Sequence, residues 1–498
     1  MYGPLNKIVL TIIILAIFTG QAFSQQKENI DPFTTATPAE ENISAAALAK
    51  IFPYVQSKEV NLHSLLLISN QKIILDAYFY PFRAGLRHDM ASCTKSMTSL
   101  LVGIAIDHHF IPDENQLVRK YFPEIKTYSK NFQTMTIKNL LTMTSGLACG
   151  FSNEDSLFVG LYQSPNWPAY IFNIPSITEP GKTFSYCSCN YQLLAEILYR
   201  ATKLSPGQFA DKYLFQPLGI SNVYWEKNSQ GINHGWGDLA LTPYDVAKVG
   251  LLLVNKGRWN HLQVISEAYI NKATGNQVPF SGEKGYGYGF WIDNDHAFNL
   301  VGRGGQRLYV DRRHKVIIVA TGGGYNWDEK NGISDLLGPA FFSQAGNTAQ
   351  ALDTLLARTQ QAAHHTSIAA PDYTSQPSGN FFNKEIRFAP NRLGIKSARI
   401  NIGPDTTFII TWAKGNTVAY PLGLGPQYHF YTDPASGHVF ALRGYWKNNT
   451  DFQIDFNTLT KINRLLLDFK LSQDQPEVDI SEDTQSVNEK IPVDFNTH

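Results

Sequence analysis

A Ser-x-x-Lys tetrapeptide at residues 92–95, shortly before the apolar run 100–106, constrains this chain more than any other feature of its sequence. At the start of a helix, the two side chains lie about one turn apart on the same face, so Lys95 can take the proton of Ser92. The unpaired N–H groups at a helix N-terminus also favour an anionic oxygen there. This arrangement makes a weak alcohol into a nucleophile. Taken alone, the tetrapeptide also fits an N-cap serine followed by an exposed lysine.

A second segment, residues 184–190, contains Tyr186 and Ser188 in a Tyr-x-Ser pattern after the Pro-Gly turn signal at 180–181. In such a turn, a phenol and a hydroxyl can face one pocket. With a lysine beside it, the tyrosine can act as a general base. The alternative is a core tyrosine next to a helix N-cap.

A third segment places Arg303, Gly304 and Gly305 between two apolar stretches. A glycine pair beside a strand lets a ligand approach the backbone closely, and an arginine can hold a carboxylate through two parallel hydrogen bonds. The alternative is a glycine-rich hairpin turn. Two further segments, 135–147 and 241–250, fit capped helices with an apolar face.

In this order and spacing, the five segments resemble the penicillin-recognising serine hydrolases. That superfamily includes class C β-lactamases, D-alanyl-D-alanine carboxypeptidases, family VIII esterases and 6-aminohexanoate-dimer hydrolases. The phrases IKNLLTMTSGL and LTPYDVAKVGLLL are typical of its class C-like branch, and the resemblance covers roughly residues 45–350.

The resemblance implies a role for each catalytic residue. Ser92 corresponds to the acylated nucleophile, Lys95 to the lysine that activates it, and Tyr186 to the general base and acid. Ser188 corresponds to a position that contacts the substrate and the lysine. Class C β-lactamases carry asparagine there, so this residue favours a peptidase, amidase or esterase over an efficient β-lactamase.

The resemblance also implies a substrate-binding strand. Arg303, Gly304 and Gly305 stand where β-lactamases carry Lys-Thr-Gly. The backbone N–H groups of the nucleophile and of Gln306 would form the oxyanion hole. Arginine in place of lysine is a second departure from β-lactamases, and it suits a substrate carboxylate.

The net charge and the N-terminal segment indicate which partners this chain would have and in which compartment it would act. Its 42 basic and 42 acidic residues balance, without the excess of positive charge that nucleic acid partners need. Lys7, the apolar stretch 8–18 and the small residues at 22 and 24 predict a cleavable signal peptide over 1–24. We therefore expect a secreted or periplasmic protein with no stable membrane anchor after cleavage. An uncleaved anchor is the alternative.

The four cysteines allow three disulfide connectivities in an oxidising compartment. Some relatives have cysteines at the positions of Cys149 and Cys187, which makes this pair the expected bridge and leaves the states of Cys93 and Cys189 open. Closing that loop would stabilise the fold by roughly 4 kcal/mol in the chain-entropy model. No metal site is expected, since neither a Cys-x-x-Cys pair nor a histidine partner stands nearby. The family chemistry requires no cofactor.

The predicted architecture has two domains. Residues 25–365 form an α/β (α+β) serine β-lactamase-like domain with an all-α subdomain, followed by a linker over 366–378. Short alternating apolar stretches over 379–472 predict a small all-β, lipocalin-like C-terminal domain. Residues 473–498 are expected to form a loose acidic tail.

The predicted function is that of a serine hydrolase acting through an acyl-enzyme on a small molecule or short peptide. Its substrate is an ester, an amide, a D-amino-acid peptide or a β-lactam. The alternative is a non-catalytic or slowly deacylating penicillin-binding sensor on the same fold.

Overall fold

The computed structural model describes residues 31–341, 343, 345–364, 381–471, 476–484 and 488–495. The predicted signal peptide and the predicted linker lie outside these residues. Within the described ranges, no helix is both long enough and apolar enough to cross a membrane.

Strands from both ends of the N-terminal domain meet in one sheet. In chain order, the strands of this domain are β1 (Thr34–Thr35), β2 (Leu62–Ser69), β3 (Lys72–Tyr78), β4 (His88–Asp89), β5 (Tyr224–Trp225), β6 (Leu239–Leu241), β7 (Arg258–Trp259), β8 (Leu262–Gln263), β9 (Val278–Pro279), β10 (Gly285–Tyr286), β11 (Trp291–Ile292), β12 (Ala297–Gly302), β13 (Gln306–Asp311) and β14 (Val316–Gly322). The main sheet has the order β1-β3-β2-β14-β13-β12-β11-β10-β9, and a smaller one has the order β4-β6-β5. Leu67 of β2 lies opposite Ile318 of β14, so distant chain segments close the domain.

Helices cover both faces of the main sheet. In chain order, the α-helices are α1 (Ala45–Ala49), α2 (Ile51–Ser57), α3 (Cys93–Asp107), α4 (Ile137–Leu141), α5 (Glu154–Gln163), α6 (Trp167–Phe172), α7 (Ser188–Thr202), α8 (Pro206–Ala210), α9 (Pro243–Val254), α10 (Glu267–Ala273), α11 (Ile333–Leu337) and α12 (Ala349–Ala362). Helices α4, α6 and α8 pack around α7, which in turn packs against α3. This is the predicted α/β domain with an all-α subdomain.

Strand β2 shows why the sheet needs covering on both sides. Successive side chains of a strand point to opposite faces. Leu65 and Leu67 belong to the apolar core that also holds residues of α1, α2, α11 and α12. Leu66 and Ile68 belong to the larger core that holds residues of α3, α7 and α9. All four leucine and isoleucine side chains are buried.

The C-terminal domain is a curled, barrel-like sheet, as the short alternating stretches predict. Its strands are β15 (Ile386–Phe388), β16 (Ile395–Asn401), β17 (Thr407–Trp412), β18 (Thr417–Pro421), β19 (Gly423–Leu424), β20 (His429–Thr432), β21 (Val439–Trp446), β22 (Asp451–Thr458), β23 (Arg464–Lys470), β24 (Glu477–Glu482) and β25 (Asn488–Phe495). Strand β15 pairs with β25. Near the two ends of the sheet, the rings of Tyr420 and Tyr431 pack 5.3 Å apart.

The prediction of a loose acidic tail over 473–498 is wrong. Strands β24 and β25 from this segment pair with each other and with β23 and β15. Apolar and acidic residues alternate in this segment. Val478 and Ile480 are buried, while Asp479 between them points outward. The all-β domain therefore continues through residue 495 instead of ending at 472.

The two domains share a small apolar core. Phe82 of the N-terminal domain packs there with Tyr428, Val439 and other buried residues of the C-terminal sheet. The backbone N–H of Asp89 donates to the carbonyl oxygen of Thr460 at 3.1 Å. The C-terminal domain is thus fixed beside β4, the strand that leads into the Ser-x-x-Lys segment.

The folded tail can be tested by its stability. Ile480→Ala removes a fully buried side chain from β24, so we expect it to lower the free energy of unfolding by about 2–5 kcal/mol. Ser481→Ala, on the other face of the strand, should change it by less than about 0.5 kcal/mol. Urea unfolding followed by tryptophan fluorescence measures both, and equal stabilities for wild type and the two variants would contradict the assignment.

Candidate active site

The predicted nucleophile and its lysine are in direct contact. Ser92 is the N-cap residue of α3. Lys95, one turn later, donates from Nζ to Ser92 Oγ at 2.9 Å and to the carbonyl oxygen of Trp236 at 3.1 Å. The lysine is 1% exposed, so its ammonium depends on these acceptors and not on water.

A tight turn presents the serine to the cleft. Ala91 has a left-handed backbone with φ 45°, and its N–H donates to Asp89 Oδ1 at 2.8 Å. A Cβ on Gly302 would lie 2.5 Å from the carbonyl oxygen of Met90. Glycine at 302 therefore allows β12 to pass close beside the nucleophile turn.

Helix α3 carries several hydroxyl groups, and their hydrogen bonds hold the helix in place. Thr98 Oγ1 donates to the carbonyl oxygen of Gly235 at 2.8 Å, and Ser96 Oγ donates to that of Gly289. Thr94 Oγ1 accepts from the backbone N–H of Leu239. These three hydroxyls of the buried helix thus bind surrounding loops and a strand, which fixes the orientation of the helix.

Tyr186, the predicted general base, also contacts Lys95. The ammonium of Lys95 lies 4.8 Å from the centre of the Tyr186 ring. Two aromatic rings also stack on Tyr186, with Phe151 at 4.4 Å and Trp291 at 6.1 Å between ring centres. The structure thus brings together the three residues that the sequence assigns to catalysis.

A disulfide fixes the loop that carries Tyr186. The structure joins Cys149 to Cys187, the pair that the resemblance implies. Cys93 and Cys189 are free and buried, and burial raises the pKa of both thiols to about 12, so they are protonated at neutral pH.

Ser188 begins helix α7 and is buried at the edge of the cleft. Its backbone N–H donates to Glu154 Oε1 at 2.8 Å. A carboxylate at a helix N-terminus is stabilised by the unpaired N–H groups there. Glu154, which also lines the cleft, was not found from the sequence because its position in α5 follows no motif.

The Arg303 segment forms a turn between β12 and β13. Gly304 and Gly305 have φ of 82° and 97°, which explains the glycine pair. The side-chain amide of Gln306 donates to the carbonyl oxygen of Gly322 at 2.6 Å and accepts from its N–H at 3.0 Å. Its side chain is therefore structural, and the oxyanion role of its backbone N–H stays a prediction.

Arg303 binds neutral acceptors that belong to the C-terminal domain. Its Nη1 donates to Thr484 Oγ1 at 3.2 Å, and its Nη2 donates to Asn463 Oδ1 at 3.3 Å. Among the described residues, no carboxylate lies within ion-pair distance of this guanidinium. The sequence could not identify these two partners, because they stand more than 150 residues away from Arg303.

The predicted nucleophile, Tyr186 and the predicted substrate-binding residues border one cleft of about 1000 Å³. The predicted residues that line it are Ser92, Tyr186, Ser188, Arg303, Gly304, Gly305 and Gln306. Carboxylates that the motifs did not reveal also line it, namely Asp89, Glu154, Asp155, Asp238, Asp328 and Asp483. The cleft can thus hold an acyl substrate beside the serine, with both positive and negative groups around it.

Two clusters of described residues have metal-ligating side chains. One is Cys149, Cys187 and Cys189, in which the disulfide uses two of the three sulfurs. The other is His296, Asp311 and His314. It lies at the end of the β12–β13 hairpin opposite to Arg303, since Ala297 pairs with Asp311 and Gly302 pairs with Gln306. Neither cluster lines the cleft.

Asp89 is the carboxylate nearest in sequence to the nucleophile. It is buried, and the ammonium of Lys461 from the C-terminal domain lies 3.8 Å from its Oδ2. Burial, and then the negative charge of Asp238, raises the pKa of Asp89 to about 6.

Comparisons with known proteins give one family match and several similar chains. The model of the Beta-lactamase family matches residues 51–330. A 6-aminohexanoate-dimer hydrolase from Paenarthrobacter ureafaciens is 25% identical over 314 residues, which cover 57% of this chain and 79% of that protein. The solved structure of a family VIII carboxylesterase is 17% identical with a TM-score of 0.48, and the match covers 66% of this chain and 98% of the esterase. An octameric penicillin-binding protein homologue from Pyrococcus abyssi is 14% identical with a TM-score of 0.47, over 90% of this chain and 99% of the homologue.

The raised pKa of Asp89 predicts a pH-dependent stability. Because this pKa is about 6 in the folded protein against an ordinary value of 3.8, its ionisation opposes folding as the pH rises through this range. Asp89→Asn removes the titration and keeps an oxygen for the N–H of Ala91. The stability of the variant relative to wild type should therefore be higher at about pH 7.5 than at about pH 4.5.

Urea unfolding at the two pH values measures this difference. The exposed Asp405→Asn is the matched control, and its stability relative to wild type should be similar at both. The same relative stability of Asp89→Asn at both pH values would refute the raised pKa.

Proposed function

Since the chain belongs to the Beta-lactamase family, whose model matches more than half of it, we propose that this serine hydrolase acts through an acyl-enzyme on Ser92. The observation that carries the proposal is the 2.9 Å hydrogen bond from Lys95 Nζ to Ser92 Oγ in a buried setting. A structural N-cap serine followed by an exposed lysine, the alternative at the sequence level, does not fit a lysine that is 1% exposed.

Acylation would begin with Tyr186 as general base. Tyr186 accepts the proton of Ser92 Oγ while this oxygen bonds to the carbonyl carbon of the substrate. The backbone N–H groups of Ser92 and Gln306 would donate to the oxyanion that develops on the carbonyl oxygen. The bond from carbon to the leaving group then breaks, and the proton passes from Tyr186 to the departing alcohol or amine.

Deacylation would repeat these steps with water. A water molecule attacks the acyl carbon and gives one proton to Tyr186. The bond between the carbon and Ser92 Oγ breaks, and the serine oxygen takes the proton back as the carboxylic acid leaves. Lys95 would keep its contacts with Ser92 Oγ and the Tyr186 ring throughout, and its ammonium would stabilise negative charge on either oxygen.

We propose an ester or amide that carries a carboxylate as the substrate. The support is Arg303, whose guanidinium lines the cleft and has no carboxylate partner among the described residues. A relative named as a 6-aminohexanoate-dimer hydrolase supports an amino-acid-derived substrate. Ser188 and Arg303, where β-lactamases carry asparagine and lysine, favour this class over β-lactams.

We also propose that the protein acts outside the cytoplasm, as a secreted or periplasmic enzyme. The support is the disulfide between Cys149 and Cys187, because structural disulfides persist mainly in oxidising compartments. The predicted signal peptide agrees with export.

Substitution of the serine tests the acyl-enzyme. We expect Ser92→Ala to lower kcat for a p-nitrophenyl ester by at least about a thousandfold, because the only proposed nucleophile is removed. The exposed Ser281→Ala is the control and should keep wild-type kcat. Steady-state release of p-nitrophenol measures both. A wild-type enzyme that releases one equivalent in a burst and then stops would instead be a penicillin-binding sensor.

Arg303 is tested with a matched pair of substrates, mono-p-nitrophenyl adipate and its methyl ester. Wild type should prefer the free acid, and Arg303→Met should erase that preference. Loss of a charge-assisted contact corresponds to a tenfold to hundredfold fall, roughly, in kcat/KM for the acid. Arg303→Lys should recover only part, because an ammonium lacks the planar fork. Equal losses on the acid and the ester would exclude a carboxylate clamp.

A further inference from the structure

We propose that the C-terminal domain completes the substrate site, with Glu482 as the positioning residue that holds Arg303 ready for a substrate carboxylate. This inference rests on the proposed function and extends it. It assigns a role in specificity to a domain that follows the family match, which ends at residue 330.

The C-terminal domain reaches the cleft through two turns. Ile462 lies in the turn between β22 and β23, while Asp483 and Thr484 follow β24, and all three line the cleft. A Cβ on Gly304 would lie 2.5 Å from Ile462 Cγ2, and a Cβ on Gly324 would lie 2.7 Å from the carbonyl oxygen of Asp483. Glycines on the N-terminal domain thus leave the room that these turns occupy.

One of these turns is anchored firmly to the N-terminal domain. Asp483 forms an ion pair with Arg464 at 2.9 Å and accepts from Asn61 Nδ2 at 2.6 Å. Asn61 also donates to the carbonyl oxygen of Gly323 at 3.0 Å. The hydrogen bond from Asn61 therefore ties the turn to the N-terminal domain, while Arg464, in β23, holds Asp483 within its own domain.

Glu482 is the centre of the contacts to Arg303. It is 5% exposed, and its two oxygens accept from different neighbours. Asn463 Nδ2 donates to Oε1 and Thr484 Oγ1 donates to Oε2, each at 2.5 Å. The same two residues accept from Arg303, Asn463 through its amide oxygen Oδ1 and Thr484 through a lone pair of the same Oγ1 that donates to Glu482.

The chemistry of these groups explains why the carboxylate fixes the arginine. A carboxylate only accepts, so it forces the NH₂ of Asn463 toward itself and the amide oxygen toward Arg303. The single hydroxyl hydrogen of Thr484 is likewise used on Glu482, so only lone pairs of this oxygen face the guanidinium. Two neutral acceptors therefore orient Arg303 directly, one on each terminal nitrogen.

This arrangement leaves the guanidinium able to bind an anion. A guanidinium has five N–H donors, and the two contacts to Asn463 and Thr484 use one donor on each terminal nitrogen. The remaining donors can form a bidentate pair with a carboxylate in the cleft. If Arg303 instead formed a direct ion pair with Glu482, its charge and its paired donors would already be used within the protein.

The test uses the full chain and the adipate pair described above. Glu482→Gln keeps the side-chain shape but replaces one acceptor oxygen with a donor, so either Asn463 or Thr484 must reverse its orientation. Thr484→Val removes one acceptor, while Thr484→Ser retains it. Thr432→Val, an exposed position of the same domain, is the matched control.

We expect Glu482→Gln and Thr484→Val to lower the acid-to-ester ratio of kcat/KM about threefold to tenfold, mainly by raising KM for the acid. Thr484→Ser should restore the wild-type ratio, and Thr432→Val should leave it unchanged. If Glu482→Gln does not fold, the Thr484 variants decide the matter by themselves.

Arg303→Met in the same assay distinguishes a failure of the positioning role of Glu482 from a failure of the carboxylate clamp. If Arg303→Met erases the preference but Glu482→Gln and Thr484→Val keep it, the positioning role is overturned and the carboxylate clamp stands. Equal losses on acid and ester in the Glu482 and Thr484 variants, with lower melting temperatures, also overturn it, because the contacts then only dock the domains. If Arg303→Met itself keeps the preference, the clamp is overturned.

Discussion

The buried ammonium of Lys95 is the interaction on which the rest of the site depends. A buried charge is costly unless the surrounding groups compensate for it. Among the described residues, its compensation comes from Ser92 Oγ, the carbonyl oxygen of Trp236 and the face of Tyr186, and not from a carboxylate. A carboxylate partner would have neutralised the lysine, whereas these partners leave it able to support negative charge on the serine or tyrosine oxygen.

The surrounding structure fixes the helix that carries Lys95, the loop next to Tyr186 and the turn that carries Ser92. The hydroxyls of α3 bind the neighbouring backbone and orient the helix that carries the lysine. The disulfide of Cys187 holds the loop next to Tyr186, and Gly302 lets β12 approach the nucleophile turn. The site is thus assembled from distant segments, which side-chain hydrogen bonds to backbone, a disulfide and a close strand approach hold in place.

Whether a contact of the site could be predicted from the sequence depends on how far apart along the chain its residues stand. Ser92 and Lys95 are three residues apart, so their contact follows from helix geometry. Tyr186 and Arg303 could be placed only through the family resemblance, because the folded chain brings them to the serine. Strand β24 was missed because its outward acidic residues make the segment look polar, although Val478 and Ile480 alternate with them. The contacts of Arg303 with Asn463 and Thr484 could not be predicted, since they depend on how two domains dock.

We propose that Ser92 carries the acyl group, and mass mapping of a trapped intermediate is the sharpest check of this role. The full chain is mixed with a slowly deacylating p-nitrophenyl ester, quenched in acid and digested with protease. We expect one acyl group per chain, on the peptide that contains Ser92. An acyl group on any other residue, or release of acid without a trapped intermediate under conditions that trap a known serine hydrolase, would contradict it.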